Sequence, residues 1–170
     1  MINRIAALTI LSLFTACASQ TPKPKYVEEK NQAKYSSSRA LAENPDKVLR
    51  AARAVLDNLT HESNPPSGES VKGDDDSTVY TGWVYSTSKD KYVQYDFNGS
   101  PRRKPLALRR IYGFTVTPGL SGSQVTMNVE EEVQEIDLKS GSAKGWKRVE
   151  TETAAYDMLL RRLTEKVRQE

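Results

Sequence analysis

One cysteine, Cys17, and one histidine, His61, occur among 170 residues. With a single cysteine there is no internal disulfide and no zinc site built on thiolates, so the fold must be held by its core. Imidazole catalysis would rest on His61 alone, in a Pro-, Ser- and Glu-rich setting with neither nucleophile nor second ligand nearby. We read His61 as a solvated residue at a helix end. Long apolar runs are missing too. The main one, Ile5 to Phe14, is shorter than the roughly 20 residues needed to cross a bilayer. Nor does one sign of charge dominate, the net value being +3, which argues against a protein built mainly around polyanion binding, and the export signal described next leaves nucleic acid out as an expected partner.

What is present begins at the N-terminus. Arg4, the apolar stretch and the small residues Thr15-Ala16 ahead of Cys17 follow the order of a cleaved secretory signal. With the cysteine in that place the segment resembles a bacterial lipoprotein signal, and a plain secretory signal is the alternative. The resemblance implies cleavage before Cys17, a diacylglyceryl group on its sulfur and a further acyl chain, such as palmitate, on its new amino group. Each buried methylene adds about 0.8 kcal/mol, so two or three chains hold a protein stably. Residues 1–16 are thus expected to be the signal peptide. The covalent lipid on Cys17 is the one cofactor expected, and no metal is. Ala18 stands where Asp would signal inner-membrane retention in enteric bacteria, which favours the outer membrane, facing the periplasm.

Residues 17–43 read as the lipidated cysteine and a flexible tether, because Thr21-Pro22-Lys23-Pro24-Lys25 and Ser36-Ser37-Ser38 offer little to bury. The domain is expected over 44–170. Asn44-Pro45-Asp46 writes a helix start, and Val48, Ala52, Val55, Leu56 and Leu59 share one helical face. Thr78 to Tyr85 and Tyr92 to Phe97 read as strands. A hairpin turning through Pro118 to Ser123 follows. Pairing Thr117 with Gln124 sets Phe114 opposite Met127, Leu108 opposite Val133, Arg110 opposite Glu131 and Arg109 opposite Glu132. The two charge runs then read as exposed cross-strand pairs that fix register. Trp146 to Val149 closes the sheet or leads on, and Thr151 or Thr153 caps a last helix carrying Tyr156, Leu159, Leu160, Leu163 and Val167. The expected class is α+β: an antiparallel sheet of about four strands packed on N- and C-terminal helices, helix-grip-like.

That order, with Thr81-Gly82-Trp83-Val84, the Arg-bearing strand Leu108 to Phe114, Trp146 and the Leu-rich closing helix, is similar to the helix-grip domains of BamC-type outer-membrane lipoproteins. The resemblance implies a non-enzymatic accessory, acting through protein partners in the assembly of outer-membrane β-barrels.

Other chemistry is sparse. Asp74-Asp75-Asp76 lacks the ligand spacing of a calcium loop. Glu130, Glu131 and Glu132 alternate between faces in a strand and cannot converge as an acid/base pair. Gly119 to Ser123 has turn residues but no phosphate-loop ending. Candidate binding residues are therefore Arg102, Arg103 and Lys104, read as a basic loop, together with Trp83 and Trp146, whose residue type dominates both cores and interfaces. The expected function is that of an envelope scaffold. The alternative is a lipoprotein binding lipid or glycolipid through the basic loop and a groove between helix and sheet.

Overall fold

The computed structural model describes residues 23–28, 37–65, 71–73 and 75–170. The signal peptide, Cys17, residues 29–36 and Asp74 lie outside the described residues.

Helix α1 (Pro45–His61) starts as its sequence dictates: the Asn44 side chain accepts from the Lys47 amide at 2.9 Å, and Pro45 occupies the first turn, where its missing N–H costs nothing. Val48, Ala51, Ala52, Val55, Leu56 and Leu59 form its buried face. Helix α2 (Thr153–Gln169) buries Ala155, Leu159, Leu163 and Val167. Neither expected threonine caps it. Glu152 holds the cap position without a side-chain cap bond, because its carboxylate is turned into the protein, and the Thr151 hydroxyl donates to the Val129 carbonyl.

The strands are β1 (Lys25–Glu28), β2 (Ser38–Leu41), β3 (Lys72–Gly73), β4 (Thr78–Tyr80), β5 (Val84–Phe97), β6 (Ser100–Gly119), β7 (Gly122–Ile136) and β8 (Ala143–Val149). Among the described residues they make one eight-stranded sheet with every pairing antiparallel. Strand β6 is its spine. Along one edge it pairs β5 and then β4; along the other it pairs β7, which in turn carries β2 near its start and β8 near its end. The hairpin register is the expected one throughout, including Phe114 opposite Met127 and Arg110 opposite Glu131.

The expected four-stranded, helix-grip-like α+β arrangement is overturned by these eight strands. Three physical reasons account for the difference. The stretch read as a basic loop, Arg102 to Lys104, lies in the first part of β6, because pairing of Pro101 to Lys104 with Asp96, Tyr95, Gln94 and Val93 holds it extended whatever its propensity. The run Thr78 to Tyr85 is two strands, broken at Thr81, whose hydroxyl and amide bond to Tyr112 of β6. Two pieces of the stretch read as tether, Lys25–Glu28 and Ser38–Leu41, pair with β5 and β7.

Both helices cover the same sheet face. There Val79, Tyr112, Phe114, Val116, Val125 and Met127 meet the apolar faces of α1 and α2 in the main core. Further along that face lies a second cluster, Val93, Leu106, Leu108 and Val133, to which no helix residue belongs.

Candidate functional site

Between the two clusters the inner face is charged. Arg110 lies one inward position from Leu108 and one from Tyr112, so alternation drives its guanidinium into the protein. Its Nε donates to Glu131 at 2.8 Å and its NH2 to Glu152 at 2.7 Å. Irregular pairing in β5 between Thr87 and Tyr92 supplies the rest of the site. The Lys91 ammonium lies 3.2 Å from Glu131 and 3.0 Å from Asp90, and Ser88 Oγ is 2.9 Å from carboxylate oxygens of both Asp90 and Glu152. Lys91 and Glu131 are each 1% exposed, so this is a buried network, not the exposed register pair expected for Arg110 and Glu131. The signal was present in the sequence, since position 110 shares its parity with Leu108 and Tyr112.

Burial opposes each of these charges, and the neighbours decide the outcome. Desolvation would raise the Glu152 carboxyl, but the bond with Asp90 and the charge of Arg110 bring it down to about 2. Asp90 moves the other way, raised by burial and by the adjoining Glu152 carboxylate. Burial would lower Lys91 and Arg110, yet Lys91 is raised by Asp90 and Glu131, and Arg110 by Tyr112, Glu131 and Glu152. Among the described residues no buried side-chain polar atom is without a hydrogen-bond partner. The network is thus saturated by its own members and ties β5, β6, β7 and the start of α2 together.

The opposite face carries the tryptophans. The Arg109 guanidinium lies 4.1 Å from the Trp83 ring centroid and 4.6 Å from that of Trp146, while Glu132 Oε2 accepts from its Nε at 2.8 Å and its NH2 at 2.6 Å. Tyr85 meets Trp146 edge-on at 6.0 Å between centroids. Two candidate residues far apart in sequence are thereby joined through an arginine that sequence reasoning assigned to register alone. All four stack residues are half-buried.

Strand alternation splits the basic trio. Arg103 stacks over the Tyr92 ring at 4.6 Å from its centroid. Arg102 and Lys104 lie on the other face, opposite Tyr95 and Val93, and their side chains make no hydrogen bond or ion pair among the described residues. On that same inner face an open pocket of about 310 Å³ lies over the second cluster, lined by Tyr26, Val93, Leu106, Val133 and Ile136 with Lys144 and Lys147 at its side. The pocket is not the expected groove between helix and sheet: no helix residue lines it.

His61 lies 3.7 Å from Asp57 on its own exposed helix face. Asp75 bonds the Ser77 amide and hydroxyl, a local turn. Glu130 and Glu132 point away from Glu131, as alternation requires. Among the described residues no acidic, histidine or cysteine cluster is placed to hold a metal ion, and no helix is long and apolar enough to cross a membrane.

Comparison with protein-family models, with curated proteins and with solved structures finds no match.

Proposed function

We propose that this protein is a lipid-anchored, non-enzymatic accessory of the bacterial outer membrane that binds a protein partner during outer-membrane protein assembly, the role its resemblance to BamC-type lipoproteins implies. The observation that carries the binding half is the Trp83–Arg109–Trp146 stack on the sheet face that neither helix covers. Tryptophan, tyrosine and arginine are the residues that most often dominate binding energy at interfaces. Here they are held in advance, Arg109 by Glu132 and Trp146 by Tyr85, so little side-chain freedom remains to be lost on association. The anchoring half rests on Thr15-Ala16-Cys17 after the apolar run.

One experiment tests both halves. The tagged protein is crosslinked in cells and purified from detergent-extracted envelopes beside a Cys17→Ala variant and a Trp83→Ser, Trp146→Ser double variant. Cys17→Ala is expected to leave the membrane fraction. The double variant is expected to stay in it, keep its circular dichroism spectrum and lose the co-purifying assembly component. Unchanged partners in the double variant would remove the stack from the interface; a Cys17→Ala protein as membrane-bound as the parent would remove the lipid anchor.

A further inference from the structure

The hairpin joining β5 to β6 runs past both helices, and its end is unusual in composition. Phe97 is 58% exposed, Tyr26 45%, Leu138 40% and Tyr95 36%, so four of the five large hydrophobic side chains exposed among the described residues gather toward this end. The fifth, Leu120, sits in the turn at the opposite end of β6. Register places the aromatic and the basic groups on one face: Tyr26 opposite Val93, Val93 opposite Lys104, Tyr95 opposite Arg102, and Phe97 two residues beyond Tyr95. Lys144 and Lys147 stand beside the adjoining pocket, Lys144 sharing Asp137 at 3.3 Å. Acidic groups are present as well, Asp96 near the end of β5 and Glu135 at the pocket, yet Arg102, Lys104 and Lys147, which register places on this face, have no acidic partner among the described residues.

We infer that this end of the sheet docks onto an anionic bilayer surface, with Tyr95 and Phe97 entering the interfacial layer and Arg102, Lys104 and Lys147 facing lipid phosphates. Exposed aromatic rings with interleaved cations are the composition that partitions into the headgroup region, the rings by apolar burial and the cations by attraction to acidic lipid. A protein partner is disfavoured because the cations here have long stems at an open rim with nothing holding them, whereas the aromatic and arginine side chains fixed in advance by stacking, Trp83, Arg109 and Trp146, are on the other face. Position agrees. Tyr26 belongs to β1, the first described strand, and only seven residues lie between Cys17 and Lys25, so a lipid on Cys17 would hold this end within about 30 Å of the bilayer. This last point rests on the anchored reading; the surface itself does not.

The test uses the sole-cysteine property of the chain. In the lipidated protein Cys17 has no free thiol, so Phe97→Cys and, separately, Leu120→Cys each introduce one site for a nitroxide label. The labelled proteins are placed on vesicles of phosphatidylethanolamine with phosphatidylglycerol, and on vesicles with phosphatidylcholine in place of the glycerol lipid. Collision with oxygen and with a water-soluble nickel chelate reports depth. The label at 97 is expected to be oxygen-accessible and shielded from nickel on the anionic vesicles, and that at 120 to behave as in water. Arg102→Gln with Lys104→Gln should weaken the shielding at 97 about tenfold or more, as should high salt. A label at 97 as nickel-accessible as the label at 120 on anionic vesicles overturns the inference, as does equal shielding on both lipid compositions. Whether the protein carries a lipid is read separately, by whether the parent floats with the phosphatidylcholine-containing vesicles, which offer the basic face no anionic lipid. The free cysteine is then changed to serine, the protein is added to the same vesicles, and the contrast between 97 and 120 is read as before.

Discussion

Arg109 and Arg110 are chain neighbours with opposite fates, and the difference is one of parity. Arg109 faces outward between two indole rings, where its partner Glu132 is itself half-exposed. Arg110 faces inward and is 8% exposed against a fully buried Glu131. Arg109→Ala should therefore cost about 1 kcal/mol in urea unfolding, a partly screened pair plus a cation–π contact. Arg110→Met should cost about 3 to 5 kcal/mol, because Glu152 would remain buried without its cation and Glu131 would be left with Lys91 alone. Equal costs would mean that parity does not decide the energetics. A pH dependence follows from Glu152. Its carboxyl, down to about 2 from an ordinary 4.5, contributes stability that is complete above pH 4.5 and is lost as the pH falls toward 2. Asp90 has the opposite sign: with its carboxyl raised, the fold favours the protonated form, and that contribution fades as pH rises through the raised value. Glu152→Gln should accordingly be less stable than the parent near pH 6, with the gap closing between pH 5 and pH 2. A constant gap across that range would show that Glu152 does not titrate as its partners dictate.

At the scale of elements, what was legible is what a long local pattern writes. The helix start at Asn44 and the hairpin register from Leu108 to Gln124 each rest on several residues agreeing, and both stand. The short edge strands had no such support. Lys25–Glu28 and Ser38–Leu41 are four residues each and take their order from the strands they join, so their sequences read as polar linker. Ser100 to Pro105 hid its strand behind two prolines and three cations, and the Arg110 network stayed hidden because three of its members come from an irregular stretch of β5 that no alternation describes. The tryptophans were legible as candidates, but not their meeting across Arg109. A further element-scale prediction comes from Gly122. Its φ is +146°, and a Cβ there would collide with the Leu41 carbonyl at the end of β2. Gly122→Ala should strip hydrogen-exchange protection from the Met127 amide, which bonds Ser37, while leaving that of Phe114 near the parent's. Retained protection at Met127 would mean that the turn absorbs the methyl without releasing β2.

For the whole molecule the decisive fact is that two apolar clusters share one sheet face but only one has helices over it. Local opening should follow that division, since protection tracks burial and packing. Amides of Gln94 to Phe97 should exchange orders of magnitude faster than those of Phe114 and Met127. Uniform protection along β5 and β6 would show that the uncovered end is as cooperative as the covered one. The length of β6 has a mechanical meaning as well. Twenty residues at about 3.3 Å each make a rod of about 60 Å, less whatever twist and bending remove. A chain held at the Phe97 end would carry the Leu120 turn that far from its point of attachment, with no loop along β6 at which the rod could fold. On a chain docked in that way the strand would act as a stand-off, setting the height above the bilayer at which the opposite end is presented.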